Sequence, residues 1–348
     1  MTSAGSPIAI DVTSLPLMPG FVDYVVEAER MGARAVWVPE AWGTDALTPL
    51  GALASRTDHI RLGTGIVQLG ARTPAMLAMS AASLQLLSGG RLLLGLGTSG
   101  PQVMEGWHGV PFERPLQRTR ETIEILRKIV AGDRLEYDGA LHHLPLPGGQ
   151  GRALRLGAPL DELPIYVASL GPNNLRLTGE LTDGWLGTTF LCGAGDVFLD
   201  PIAEGAEAAG RTLDEVDLTV SVTCEITDDV DEAARRHAAG YAFTIGAMGS
   251  ASTNFYNAAF SRQGFGEEVA EVQRLWRSGD REAAAAAVPM EIGRGTNLLG
   301  PPEEIARRLR EYAEAGIDGL RVVPGGETLD ERLACLGELF DIVASLDA

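Results

Sequence analysis

From Gly89 to Gly100 the chain reads Gly-Gly-Arg-Leu-Leu-Leu-Gly-Leu-Gly-Thr-Ser-Gly. The pattern is a helix ending on paired glycines, then an apolar strand, then three glycines where that strand delivers its C-terminal end. A strand end without side chains lets a flat or phosphorylated ligand approach the backbone closely. Gly95-x-Gly97-x-x-Gly100 matches a dinucleotide fingerprint at face value, but that motif needs a helix directly after it to hold a pyrophosphate. The continuation, Pro101 to Pro111, contains Gly106 and Gly109 and leaves no room for a proper helix. The strand is also far from the first of its chain, where the fingerprint normally sits. The dinucleotide reading fails, and a glycine-lined strand end in another α/β fold remains.

A chain of 348 residues, 45% of them hydrophobic, can bury a large core. The formal charge of −19, with no run of Lys or Arg, makes nucleic acid and anionic membranes poor partners. The first residues, Met-Thr-Ser-Ala-Gly-Ser-Pro, lack the basic and apolar stretches of a signal peptide, and no apolar run reaches membrane-spanning length. A cytoplasmic location is expected. Cys192, Cys224 and Cys335 show no CxxC spacing and suggest neither a disulfide framework nor a metal site.

Eight short Val/Ile/Leu-rich runs read as strands: Ile8–Val12, Ala35–Pro39, Ile60–Thr64, Leu92–Leu96, Ile165–Ala168, Gly184–Thr188, Leu218–Cys224 and Gly319–Val323. Runs without polar alternation are expected of parallel strands covered on both faces. Before two of them, at Gly32 and Gly316, a helical stretch stops at a glycine and a strand begins within a few residues. Eight βα units in this length favour a (β/α)8 barrel of the TIM type over an open sheet. Two segments exceed a plain barrel. Residues 133–164 carry a hairpin with an Asp138-Gly139 turn and a Gly/Pro-rich loop before strand 5. Residues 240–300 form a helical insertion before strand 8, expected to lid the mouth.

Placed at strand ends, several stretches resemble one family. They are Val36-Trp-Val-Pro-Glu-Ala-Trp42, Ile60-Arg-Leu-Gly-Thr-Gly-Ile66, Arg72-Thr-Pro-Ala-Met-Leu-Ala-Met79, Ser88-Gly-Gly-Arg-Leu-Leu-Leu-Gly-Leu-Gly-Thr98, Val103-Met-Glu-Gly-Trp-His-Gly109, Ile165-Tyr-Val-Ala-Ser-Leu-Gly-Pro172 and Asp183-Gly-Trp-Leu-Gly-Thr188. Together they resemble the luciferase-like monooxygenase superfamily, and within it the oxidoreductases that use the deazaflavin coenzyme F-420. The resemblance implies a barrel with the ring of F-420, or of FMN as the alternative, lying across the strand ends. It places Glu40 near the ring and a non-prolyl cis peptide at Gly65–Ile66 in a third-strand bulge. Gly97 and Thr98 fall at the ring edge. Ala168, Ser169, Leu170 and Gly171, helped by Thr188, form a backbone-amide loop for the coenzyme phosphate. A homodimer is implied, and for an FMN enzyme a separate reductase.

The catalytic candidates are Glu40, Glu105 and His108, each able to supply or relay a proton beside a hydride carrier. Some deazaflavin dehydrogenases pair an acid with a histidine at the second strand end. Here the neighbour of Glu40 is Ala41, and an asparagine near the fourth strand is replaced by Met104, which disfavours a sugar-phosphate dehydrogenase. Trp42 and Trp107 fall in loops at the mouth and can line a substrate pocket, whereas Met76 and Met79 fit core packing. Arg72, Arg114 and Arg118 are candidates to receive the acidic polyglutamate tail of F-420. The reading is an F-420-dependent oxidoreductase acting on a small ketone, imine, activated alkene or pterin-like substrate. The alternative is a two-component monooxygenase using reduced FMN and O2. A cofactor-free barrel conflicts with the intact glycines, and a phosphosugar isomerase would need a strand-end lysine or histidine, which this chain does not supply.

Overall fold

The computed structural model describes residues 8–14, 18–158, 160–248 and 254–346. Eight parallel strands close on themselves: β1 (Ala9–Thr13), β2 (Ala35–Val38), β3 (Arg61–Thr64), β4 (Leu92–Gly97), β5 (Ile165–Val167), β6 (Gly184–Gly187), β7 (Asp217–Ile226) and β8 (Gly319–Pro324). Each pairs with its neighbours in chain order, and β8 returns to β1 with Leu320 opposite Ile10. This is the expected (β/α)8 barrel, with helices covering its outer face. Helix Phe21–Met31 and helix Pro302–Glu314 both turn into the next strand through a glycine of positive φ, Gly32 at 104° and Gly316 at 82°. Only glycine adopts that region without a Cβ penalty.

Strands β2 and β4 send alternate residues to two cores, and β5 and β6 also reach the inner one. Ile8, Ile10, Val12, Val36, Val38, Leu92, Leu94 and Leu96 join the large cluster between sheet and helices. Ala35, Trp37, Leu93, Tyr166 and Leu186 form a separate cluster inside the barrel. Strand β7 corrects the expectation of unbroken apolar runs. Asp217, Thr219, Ser221 and Thr223 alternate with Leu218, Val220, Val222 and Cys224, because its inner face meets a polar network. In that network Arg34 donates to both carboxylate oxygens of Asp11 at 2.8 and 2.9 Å, and to Asp217 and Thr219 at 3.0 Å. Trp37 Nε1 donates to Asp11 at 2.8 Å, and the Tyr166 hydroxyl to Asp217 at 3.0 Å. These partners satisfy charges that would otherwise be costly to bury.

The sheet also contains two short strands with no counterpart among the eight sequence runs. Val67–Gln68 pairs with β4, and Leu298–Gly300 pairs with the last residues of β7, Cys224 to Ile226. The hairpin forms from Tyr137–Asp138 and His143–Leu144. It is tied to helix Pro115–Val130 by the fully buried Glu121, which accepts from the amides of Ala140, Leu141 and His142 and from His142 Nδ1. His143 instead meets Asp138, so the two histidines serve different structural contacts. The late insertion comprises helices Phe255–Phe260, Gly266–Ser278, Arg281–Ala286 and Met290–Gly295, packed with helix Val230–Ala247 around a small core of its own.

Burial pushes the Glu121 carboxyl up, but the hydrogen bonds from Gln117, His142 and the hairpin amides outweigh it and hold the group at about 2. A carboxyl whose folded pKa is depressed stabilises the fold above its ordinary value near 4.5 and loses that contribution as the pH falls toward 2. Glu121→Ala is therefore expected to lower unfolding free energy by about 2–3 kcal/mol at neutral pH. Urea denaturation should show that difference shrinking steadily in acid.

Candidate functional site

The C-terminal mouth is built around a register slip between β3 and β4. Gly63 faces Leu93, an offset of 93 − 63 = 30, whereas Val67 faces Leu96, an offset of 96 − 67 = 29, so one extra residue bulges from the third strand. The Gly65–Ile66 peptide inside the bulge is cis, as the resemblance implies. The Thr64 hydroxyl takes over the interrupted ladder, donating to Gly95 O and accepting from Gly95 N, both at 2.8 Å. A Cβ on Gly95 would lie 2.0 Å from Thr64 O, and one on Gly97 would meet the Ile66 side chain at 2.8 Å. These two glycines of the fourth strand therefore make room for the bulge. Trp37 supports the bulge from inside, since a Cβ on Gly63 would overlap its ring.

Directly after the bulge the chain places Gln68 and Arg72 beside the end of β2. Glu40 is 94% buried at its side chain and forms a two-pronged ion pair with Arg72, at 2.7 and 2.8 Å. Hydrogen bonding and Coulomb attraction from Glu40 raise the Arg72 guanidinium above its usual range. Glu40 also accepts from the amide of Ala46 at 3.1 Å. These contacts make it an anchor for the β2 loop, and Arg72, being consumed by Glu40, is not free to receive an acidic tail. Arg114 and Arg118 have no carboxylate partner among the described residues.

The open space beside this pair is a cleft of about 250 Å3 lined by Glu40, Trp42, Gln68, Arg72, Trp107 and His108, among others. His108 reaches it from the loop beyond β4, with Nε2 2.6 Å from Gln68 Oε1. Glu105 lies elsewhere on that loop, exposed, accepting the amide of Phe112 at 3.0 Å, and does not line the cleft. Thr98 borders a separate, much smaller hollow with Leu69, Met104 and Arg118. Met76 and Met79 are more than half exposed on helix Pro74–Ser88, so they lie outside the core assigned to them from sequence.

Across the mouth, β5 leads into the amide loop. The amide of Ala168 is spent on Leu96 O at 2.9 Å, while those of Ser169, Leu170 and Gly171 find no acceptor in the described chain. Ser169 is fixed by Thr178 at 2.9 Å and by Trp185, whose Nε1 donates to its carbonyl. Gly171 caps helix Pro172–Leu181 with nothing within 4 Å of where a Cβ would stand. Free amides at a helix start form an anion site. Arg262, from the insertion, donates to Leu170 O and keeps a buried Nε without a partner. Gln263, next to it, holds the loop after β6 through Thr189 O at 2.8 Å and the amide of Leu191 at 3.0 Å. Thr188 stands at the end of β6, one residue before that clamp. Deeper in the lumen, burial pulls the Arg321 guanidinium down to about 10, with Asp11 and Tyr256 countering.

A model of the luciferase-like monooxygenase family matches residues 12–319. The chain belongs to that family. It is thus an enzyme, built on this bulge and this amide loop. Over 323 residues it is 37% identical to a Mycobacterium tuberculosis protein (Rv3520c) whose name describes a coenzyme F420-dependent oxidoreductase, covering 90% of this chain and 93% of that one. It is 28% identical over 300 residues to the 5,10-methylenetetrahydromethanopterin reductase of Archaeoglobus fulgidus, covering 84% and 86%. The solved F420-dependent tetrahydromethanopterin reductase of Methanopyrus kandleri superposes with a TM-score of 0.80 at 23% identity, covering 97% of this chain and 99% of that one. Gln68, Arg262 and Gln263 carry no motif in the sequence. They become visible only when the bulge and the insertion place them.

Removing one partner of a buried ion pair strands the other's charge. Arg72→Leu is expected to cost about 3 kcal/mol of stability, with part of it recovered in the Glu40→Leu/Arg72→Leu double variant. Paired denaturation curves check both values, and strictly additive losses would show that the pair is not coupled.

Proposed function

We propose that the protein is an F-420-dependent oxidoreductase that moves a hydride between the deazaflavin and a small unsaturated or hydroxylated substrate bound in the cleft beside Glu40 and His108. The observation that carries the reading is the amide loop at Ser169, Leu170 and Gly171. Its donors lack acceptors and Arg262 stands beside it, which suits the phosphate of a flavin-type coenzyme. The choice of deazaflavin over FMN rests on the named relatives. When bound, F-420 supplies a two-electron hydride carrier that reacts poorly with oxygen. The chain's own residues orient it, exclude water and hold the proton. Trp42 and Trp107 give the cleft flat apolar walls that suit a small organic molecule. Gly65, Ile66, Gly97 and Thr98, at the ends of the third and fourth strands, are the residues we assign to the coenzyme ring. Arg114 and Arg118 are the cations left to meet an acidic tail.

Gly171 makes a clean test because its backbone, φ −81° and ψ 145°, accepts any residue and the space beyond it is open. Asp at a helix N-cap is even favourable for folding. Gly171→Asp should therefore fold normally yet lose F-420 binding by at least about 100-fold through charge repulsion. Arg262→Gln should weaken it about 10-fold. Titrations of F-420 and of FMN followed by fluorescence quenching decide the coenzyme. Tighter FMN binding would move the protein to oxygen chemistry with a partner reductase.

The assembly we propose is a homodimer. Helix Pro74–Ser88 has no charged residue and exposes Met76, Met79, Leu86 and Leu87 on its outer side, a face suited to a second copy of the same uncharged helix. A Met79→Glu/Leu86→Glu variant is expected to sediment as a monomer where the parent protein sediments as a dimer. Identical sedimentation of the two would place the seam elsewhere.

A further inference from the structure

We propose that His108 is the group that gives and takes the proton in the cleft, that it does so through Nδ1, and that Gln68 enforces this choice of nitrogen. The proposal rests on the reading of the cleft as the place where hydride meets substrate. Gln68 is 3% exposed, and its amide orientation is dictated by its neighbours. Nε2 donates to Ala41 O at 2.7 Å and lies 3.4 Å from Glu40 O, two carbonyls that require an NH2 facing them. The amide oxygen must then point the other way, where it meets His108 Nε2 at 2.6 Å. An amide oxygen only accepts, so His108 Nε2 carries hydrogen in both states of the ring. Nδ1 is left as the nitrogen that can gain and lose a proton. The chain of donors runs in one direction, from His108 to Gln68 to the backbone at the end of β2.

The charges around the ring leave this role open to it. Glu40 and Arg72 neutralise each other through two hydrogen bonds. Asp45 accepts the amide of Thr48 at 2.7 Å, and Glu105, on the ring's own loop, accepts that of Phe112. With those groups held in bonds of their own, the imidazole is the group of the cleft left to exchange a proton through a ring nitrogen. The balance is simple. Were a hydride from the bound, reduced coenzyme to reach the carbon of a C=O, C=N or activated C=C bond, the electron pair would move to the other end of that bond. The atom there takes the proton from Nδ1–H of the imidazolium, leaving a neutral ring with Nε2–H. In the opposite direction neutral Nδ1 takes the hydroxyl or amine proton as the hydride leaves carbon. Gln68 acts through His108 and is a positioning residue.

The tautomer can be read without coenzyme or substrate. The chain has five histidines, so 15N–1H correlation of the imidazoles across a pH series, with His108→Gln for assignment, resolves this ring. Nε2 should stay protonated throughout while Nδ1 titrates, and Gln68→Leu should give a mixture of tautomers. A wild-type ring that loses the Nε2 proton overturns the role of Gln68, whether or not the Gln68 variant folds. For the proton itself, oxidation of reduced F-420 is followed with acetone, 2-cyclohexen-1-one and a cyclic imine as probes. On any probe that is turned over, His108→Gln should lower kcat by about 10²–10⁴-fold with F-420 affinity unchanged. Gln68→Leu should lower kcat about 10-fold with little change in KM. A His108→Gln enzyme within threefold of wild type overturns the proton role alone. A wild-type protein that does not bind F-420 overturns the coenzyme reading, and one that binds it yet turns over no probe overturns the small-substrate reading. The proton role falls in both cases, while the tautomer result stands on its own.

Discussion

The interlock of Thr64 with Gly95 is the contact on which the mouth of this barrel depends. A parallel ladder that gains one residue on one strand must lose backbone partners, and an unpaired buried amide or carbonyl costs about 1–3 kcal/mol. Here one hydroxyl satisfies both backbone groups of Gly95. That contact is possible only because position 95 lacks a Cβ, which leaves the strands close enough to touch. The slip also sets the facing of the residues beyond it. Shifted by one residue, the chain after the bulge turns Gln68 toward the carbonyls of Glu40 and Ala41 and brings Arg72 onto Glu40. Without the extra residue the side chains would exchange faces.

Below this level the lumen is held by charge rather than by packing alone. Arg34, Asp11 and Asp217 sit at the base, and Asp11 also fixes the indole of Trp37. That indole in turn occupies the space beside Gly63 and Gly65. A buried carboxylate in the middle of β1 is thereby connected, through one ring, to the strand that bulges at the top. The route is a continuous set of contacts, with each residue restricting the position of the next.

Much of this was legible in the chain, and the reasons differ by element. Barrel strands with strong apolar runs and glycine-terminated helices were readable because burial and positive φ leave direct marks on composition. The polar alternation of β7 was equally printed in the sequence, and it reports the charged lumen. Gly95 and Gly97 signalled a close approach correctly, and the bulge of the neighbouring strand is one group that makes it. The strands Val67–Gln68 and Leu298–Gly300 are too short for any period to show. Glu40 was readable as a buried strand-end acid, whereas its pairing with Arg72 depends on a loop between them that only the fold closes. Gln68, Arg262 and Gln263 left no trace, since isolated polar residues look alike until the backbone groups they satisfy are placed beside them.

The clamp made by Gln263 has a consequence for how such an enzyme can diversify. Its amide serves as partner to the carbonyl of Thr189 and the amide of Leu191, so a side chain of the insertion completes the backbone bonding of the barrel's own sixth loop. Losing the insertion would leave those two groups orphaned, and exchanging it for another would have to reproduce the same amide. The segment is therefore a fixed part of the scaffold, however late in the chain and however variable its surface. Single side chains on the walls of the cleft can be altered without touching those bonds, whereas the insertion cannot be traded as a cassette without breaking them.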